Sequence, residues 1–96
     1  MKIYKIDADQ ISTWDSFHDV FSETFDFPGY YGRNMDAWND CMSDRENMVA
    51  IHVNNAQKLK QEAPAIFEAL IECTAFINYR LTEKGAQPVV ALSYYV

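Results

Sequence analysis

Three short β-prone runs punctuate the chain, "KIYKI" at 2–6, "NMVAIHVNN" at 47–55 and "QPVVALSYYV" at 87–96, with helical periodicity between them. Strands separated by helices are not joined by tight hairpins. Each return crosses over through a helix, which brings the next strand in parallel. The pattern predicts an α/β fold, a small three-stranded parallel sheet with right-handed crossovers and about four helices packed on it. Ninety-six residues make one small domain, 1–96, with a single core.

Within "STWDSFHDVFSETFDF", Trp14, Phe17, Phe21 and Phe25 recur at helical spacing. Ser12 followed by Asp15 reads as the capping signature of that helix, and Pro28-Gly29 as its stop. Asn34 caps the next helix, which runs to about Ser43. "NAQKLKQEA" is a short helix ended by Pro64, and Pro64 opens a longer one. There Ile66, Leu70, Cys73, Ile77 and Leu81 form an apolar stripe, and Gly85 supplies the stop.

The second helix holds the anomaly of the sequence. Asp36, Asp40 and Asp44 stand at four-residue intervals with no base among them. At about 100° per residue they fall on one face, while Trp38, Cys41 and Met42 fall on the other. The apolar arc faces the core and the aspartates face away. Each like-charged pair four residues apart costs about 0.2–0.5 kcal/mol, and Asp44 lies where the helix dipole disfavours a negative charge. Solvated helix faces usually mix both signs. A local choice this unfavourable, with no local compensation, points to function.

Charge is uneven along the chain. Ten acids against Arg33 and Arg45 leave residues 7–46 at −8, and the remainder carries +2. Such a segment repels nucleic acid and membrane and attracts a basic partner, or serves solubility; net charge alone fits both. No apolar run reaches the roughly 20 residues of a membrane span, and "MKIYKIDADQ" lacks the apolar stretch of a secretory signal, so a cytoplasmic protein is expected. Cys41 and Cys73 form no Cys-x-x-Cys pair and read as small, reduced core residues. His18 and His52 read as structural histidines. With no nucleophile signature, no phosphate loop and no convergent ligand set, neither an enzyme nor a cofactor is expected.

The stretch "YYGRNMDAWNDCM", Tyr30 to Met42, resembles the barstar signature: two tyrosines, Gly, any residue, Asn, an apolar residue, Asp-Ala, two residues, then Asp. The order of elements is similar to the barstar family over essentially the whole chain. That family inhibits small microbial ribonucleases inside the cell. The resemblance implies that the aspartate helix and the loop before it plug a nuclease's basic active site, with carboxylates where RNA phosphates would lie. By that resemblance Tyr30 is the tyrosine contact, Asp36 and Asp40 are the two acidic contacts, Asn34 is the cap, and Tyr31 and Gly32 shape the loop. A further acidic contact near the end of the last helix falls on Arg80 by count, with Glu83 nearby. Asn39 stands where the prototype has tryptophan, and Asp44-Arg45 where it has glycine and an aromatic.

The partner-binding residues expected on this basis are Tyr30, Arg33, Asn34, Asp36, Ala37, Asn39, Asp40, Ser43, Asp44 and Glu83. The expected partner is a basic ribonuclease, bound by a monomer in a 1:1 heterodimer. An acidic module for a basic regulatory protein, or a nucleic-acid mimic, would use the same carboxylates for a different end.

Overall fold

The computed structural model describes residues 1–96. Strands β1 (Lys2–Asp7), β2 (Val49–Asn54) and β3 (Val90–Tyr94) form one sheet in the order β1-β2-β3. Both pairings are parallel, with Ile6 opposite Val53 and Ile51 opposite Leu92. Helices α1 (Trp14–Phe25), α2 (Met35–Ser43), α3 (Ala56–Glu62) and α4 (Pro64–Glu83) complete an α/β fold of the expected kind, and Ala8–Gln10 adds a 3-10 turn.

The faces of the sheet differ. Paired residues in register share a face, so Ile6, Val49, Ile51, Val53 and Val90 lie together and are all buried. The opposite face carries Ile3, 64% exposed, with exposed Lys5 and Ser93 and half-buried His52. Parallel sheets are usually covered on both faces, and their strands are then apolar throughout. Here β2 alternates between buried and half-buried positions, because the core lies on one side only.

Several local signals sit one step from where the sequence suggests. Thr13, not Ser12, is the N-cap of α1. Its hydroxyl accepts from the Ser16 amide at 3.2 Å, and Ser16 Oγ accepts from the Thr13 amide at 2.9 Å, a closed capping box. This leaves Asp15 free to serve Arg33. Helix α1 also ends before Pro28-Gly29. Asp26 takes the left-handed conformation (φ 53°), and the amides of Asp26 and Phe27 both reach the Ser22 carbonyl. Asp tolerates this region better than most residues because its short side chain can bond locally.

The core is one cluster of 19 buried residues. Phe17, Phe21 and Phe25 come from α1, Trp38 and Met42 from α2, and Ile66, Leu70 and Ile77 from α4. Trp14 leaves the α1 stripe and is 40% exposed, Cys73 and Leu81 are half-buried at the core's margin, and Cys41 is half-buried. Pro64 opens α4 as predicted, and Gly85 follows it at φ 78°, where a side chain would be strained.

One polar residue docks α4 to the sheet without a sequence signature. Asn78 Nδ2 donates to the Val90 carbonyl at 2.7 Å, while its Oδ1 accepts from the amides of Val89 (3.0 Å) and Val90 (3.2 Å). Replacing it by alanine leaves part-buried backbone groups at the start of β3 and just before it unpaired, at about 1–3 kcal/mol each. Asn78→Ala is expected to lose at least about 2 kcal/mol of stability in urea denaturation. A loss under about 0.5 kcal/mol would show that water replaces the amide at no cost.

Candidate acidic interface

The segment from Asp26 to Asn34 leaves α1, turns and enters α2. Its turn is closed by the Tyr31 amide donating to the Pro28 carbonyl at 2.9 Å. The two tyrosines part here. Tyr30 is 88% exposed at the tip, whereas Tyr31 folds inward, its ring 4.7 Å from that of Phe27. The Tyr31 hydroxyl meets His18 Nδ1 at 2.6 Å. Burial pushes the Tyr31 hydroxyl up to about 12 and pushes His18 down, helped by the Arg33 charge and opposed by Asp15 and Asp19. The direction of that hydrogen bond is set by the His18 tautomer.

Arg33, not Gly32, carries the loop's left-handed backbone, at φ 54°. Its guanidinium reaches back to α1, with Nη1 2.9 Å from Asp19 Oδ1 and Nη2 donating to the Asp15 carbonyl at 3.0 Å. The hydrogen bond to Asp19 raises the Arg33 pKa further. Asn34 then caps α2 as predicted. Its Oδ1 accepts from the Ala37 amide at 2.8 Å, and its Nδ2 donates to the Gly32 carbonyl at 3.3 Å.

On α2, Trp38 and Met42 are fully buried, and Asp36, Asp40 and the C-cap Asp44 are all exposed. None of the three joins an ion pair. The four ion-pair contacts of the molecule join Arg33 to Asp15 and Asp19, and Lys58 to Asp9 and Glu62. The α1 carboxylates are thus partly neutralised from within, and the α2 row is not. Arg45, the base next to that row, turns away from it. It donates to the Phe25 carbonyl at 2.9 Å and lies over the Phe25 ring.

The structure brings most of the sequence-selected residues together. Asn39, Asp40, Ser43 and Asp44 line one groove against α4, Tyr30 projects from the adjoining loop, and Asn34 and Ala37 join loop to helix. Arg33 is committed to α1. Phe76 and Arg80 of α4 and its C-cap Lys84 line the groove, while Glu83 is exposed elsewhere on the helix. Phe76 and Lys84 escaped the sequence reading, although their four-residue spacing from Arg80 was visible.

The remaining reactive groups lie apart. His52 Nδ1 meets Ser93 Oγ at 2.7 Å across the open sheet face, where the two are register partners. No carboxylate is hydrogen-bonded to this histidine, so the pair lacks the orienting group of a hydrolytic triad. Burial pushes the Cys41 and Cys73 thiols up, away from the reactive thiolate. No three His, Cys, Asp or Glu side chains gather closely enough to hold a metal ion.

A three-stranded parallel sheet packed on one face by helices, one of which displays an unneutralised row of carboxylates, defines a small α/β protein with an anionic helix face. The family described as Barstar (barnase inhibitor) matches residues 1–93, and the chain belongs to that family. It is also similar to "Putative ribonuclease inhibitor YrdF" of Bacillus subtilis (strain 168), at 42% identity over 38 residues. That match covers 40% of this chain and 42% of the relative, so the chain spans about two fifths of the curated relative it matches. No helix is long and apolar enough to cross a membrane.

The burial of His18, with the Arg33 charge nearby, predicts a pH dependence. Unfolded His18 titrates near its ordinary 6.5 and the native residue below it, so the unfolded state takes up the proton first. This contribution is complete above pH 6.5 and declines as pH falls below it. The melting temperature should therefore drop between pH 7 and 5, and drop less in His18→Gln. Equal slopes in the two proteins would remove His18 as the source.

Proposed function

We propose that this protein inhibits a small microbial ribonuclease by inserting α2 and the loop before it into the enzyme's basic active site. The observation that carries this reading is the row Asp36, Asp40 and Asp44, exposed and without internal ion pairs beside the projecting Tyr30. A ribonuclease holds phosphate with arginine, lysine and histidine, and carboxylates on a rigid helix are complementary to such a cleft. Successive aspartates rise about 6 Å along the axis, a spacing that a mobile acidic loop would not keep. Membership of a family described as barnase inhibitors agrees.

The protein acts as a binder rather than an enzyme, as one monomer on one nuclease. It works in the cytoplasm of the cell it protects, where its free cysteines stay reduced. The repulsion within the aspartate row, tolerated in the free protein, is relieved by the cations of the target.

The test is titration of the protein into purified small microbial ribonucleases while RNA cleavage is followed. Asp40 takes part in both unfavourable pairs of α2, so Asp40→Ala should melt at the same temperature or slightly higher. Its binding to an inhibited nuclease should weaken by at least about 2 kcal/mol. Tyr30→Ala should also keep the melting temperature and weaken binding by about 1 kcal/mol or more, whereas Tyr31→Ala should melt lower. An Asp40→Ala variant that inhibits as well as the parent would sink the reading.

Association should also slow as salt rises, because the field of the −8 segment reaches about 10 Å at 0.1 M ionic strength. Stopped-flow mixing with the inhibited nuclease at several salt concentrations reads this directly. A flat rate would mean that the acidic face does not steer the encounter.

A further inference from the structure

Helix α4 carries a second row that faces the first. Phe76, Arg80 and Lys84 also stand at four-residue intervals, within an arc of about 80°. They form one side of a groove of about 450 Å³ whose other side is Asn39, Asp40, Ser43 and Asp44. Acids on α2 therefore look across open space at bases on α4. No pair closes, since neither Arg80 nor Lys84 lies within 4.0 Å of a carboxylate. Arg80 instead rests over the Phe76 ring, 5.5 Å from its centroid, and that ring is 49% exposed.

An arrangement of this kind adds little to folding, because exposed pairs are screened by water even when made. It does leave charges of both signs, and an aromatic face, available to one visitor. A purely basic partner would be attracted by Asp40 and Asp44 and repelled by Arg80 and Lys84.

We propose that the α2–α4 groove is a two-sign docking site. It seats a basic side chain of the partner against Asp40 and Asp44, and an aspartate or glutamate of the same partner on Arg80 and Lys84. The inference rests on the ribonuclease reading and narrows it: the target carries a carboxylate on the rim of its basic cleft. Arg80 suits the role, since a guanidinium takes a carboxylate through two parallel hydrogen bonds. The basic row also acts as a filter, because a nuclease with lysine or arginine at that rim position is repelled.

The two ideas predict opposite signs for one substitution. A panel of purified small secreted bacterial ribonucleases is titrated with the parent, Asp40→Ala, Arg80→Glu and Lys84→Glu, with fluorescent RNA cleavage as the readout. Against each nuclease the parent inhibits, Arg80→Glu is expected to weaken inhibition at least about tenfold, with Lys84→Glu in the same direction. Replacing the rim carboxylate of that nuclease by lysine should restore inhibition by Arg80→Glu. Unchanged or tighter inhibition by Arg80→Glu would overturn the two-sign groove while leaving the inhibitor reading intact. Failure of the parent to inhibit any nuclease in the panel would remove both.

Discussion

The indole of Trp38 sets the rotation of α2, and the direction of every carboxylate on that helix follows from it. Trp38 is fully buried, its ring 5.6 Å from Phe21 and 6.5 Å from Phe17. Removing a buried aromatic of this size typically costs about 3–5 kcal/mol, far more than the repulsion among three surface aspartates. The helix cannot turn to separate its charges without surrendering that burial. Burial lies on the inner face and open negative charge on the outer one, and the first holds the second in place.

The loop before α2 is held by the same economy of parts. Tyr31 bonds inward to His18, Arg33 bonds back to α1, and Asn34 starts the helix. Three successive attachments leave Tyr30 projecting from a backbone that has little freedom left to lose. Binding through such a loop avoids much of the ordering cost of a mobile segment. Arg33 has a second consequence: it partly neutralises Asp15 and Asp19, whereas the aspartates of the α2 row have no such partner.

A core on one face of the sheet makes this division possible. With α1, α2 and α4 contributing to the same buried cluster, α2 and α4 come side by side, and their outer faces share one groove. The far face of the sheet is left to Ile3, Lys5, His52 and Ser93, which do not contribute to that groove. The proposed recognition surface is therefore built by neighbouring helices rather than at the ends of the strands, where open α/β sheets usually bind ligands.

Periodicity made the strand and helix order legible, because an amphipathic period of two or 3.6 residues is written in consecutive side chains. The same arithmetic put Asp36, Asp40 and Asp44 on one exposed face, and the motif around them named the family. Caps were less legible: Ser12 and Thr13 are both competent, and only backbone dihedrals decide which one closes the box. The inward turn of Tyr31, the reach of Arg33 to Asp19 and the docking of Asn78 on β3 each join residues 11 to 14 positions apart. No local pattern marks such partners. The groove is the extreme case, since Asp40 and Arg80 are each readable as surface charges but come to line one groove only when α2 and α4 pack together. The sequence by itself determined which faces are apolar and where negative charge accumulates, because those depend on neighbours along the chain. Tertiary structure alone decided which charges are neutralised and which stay open, because Coulomb interactions depend on distance in space.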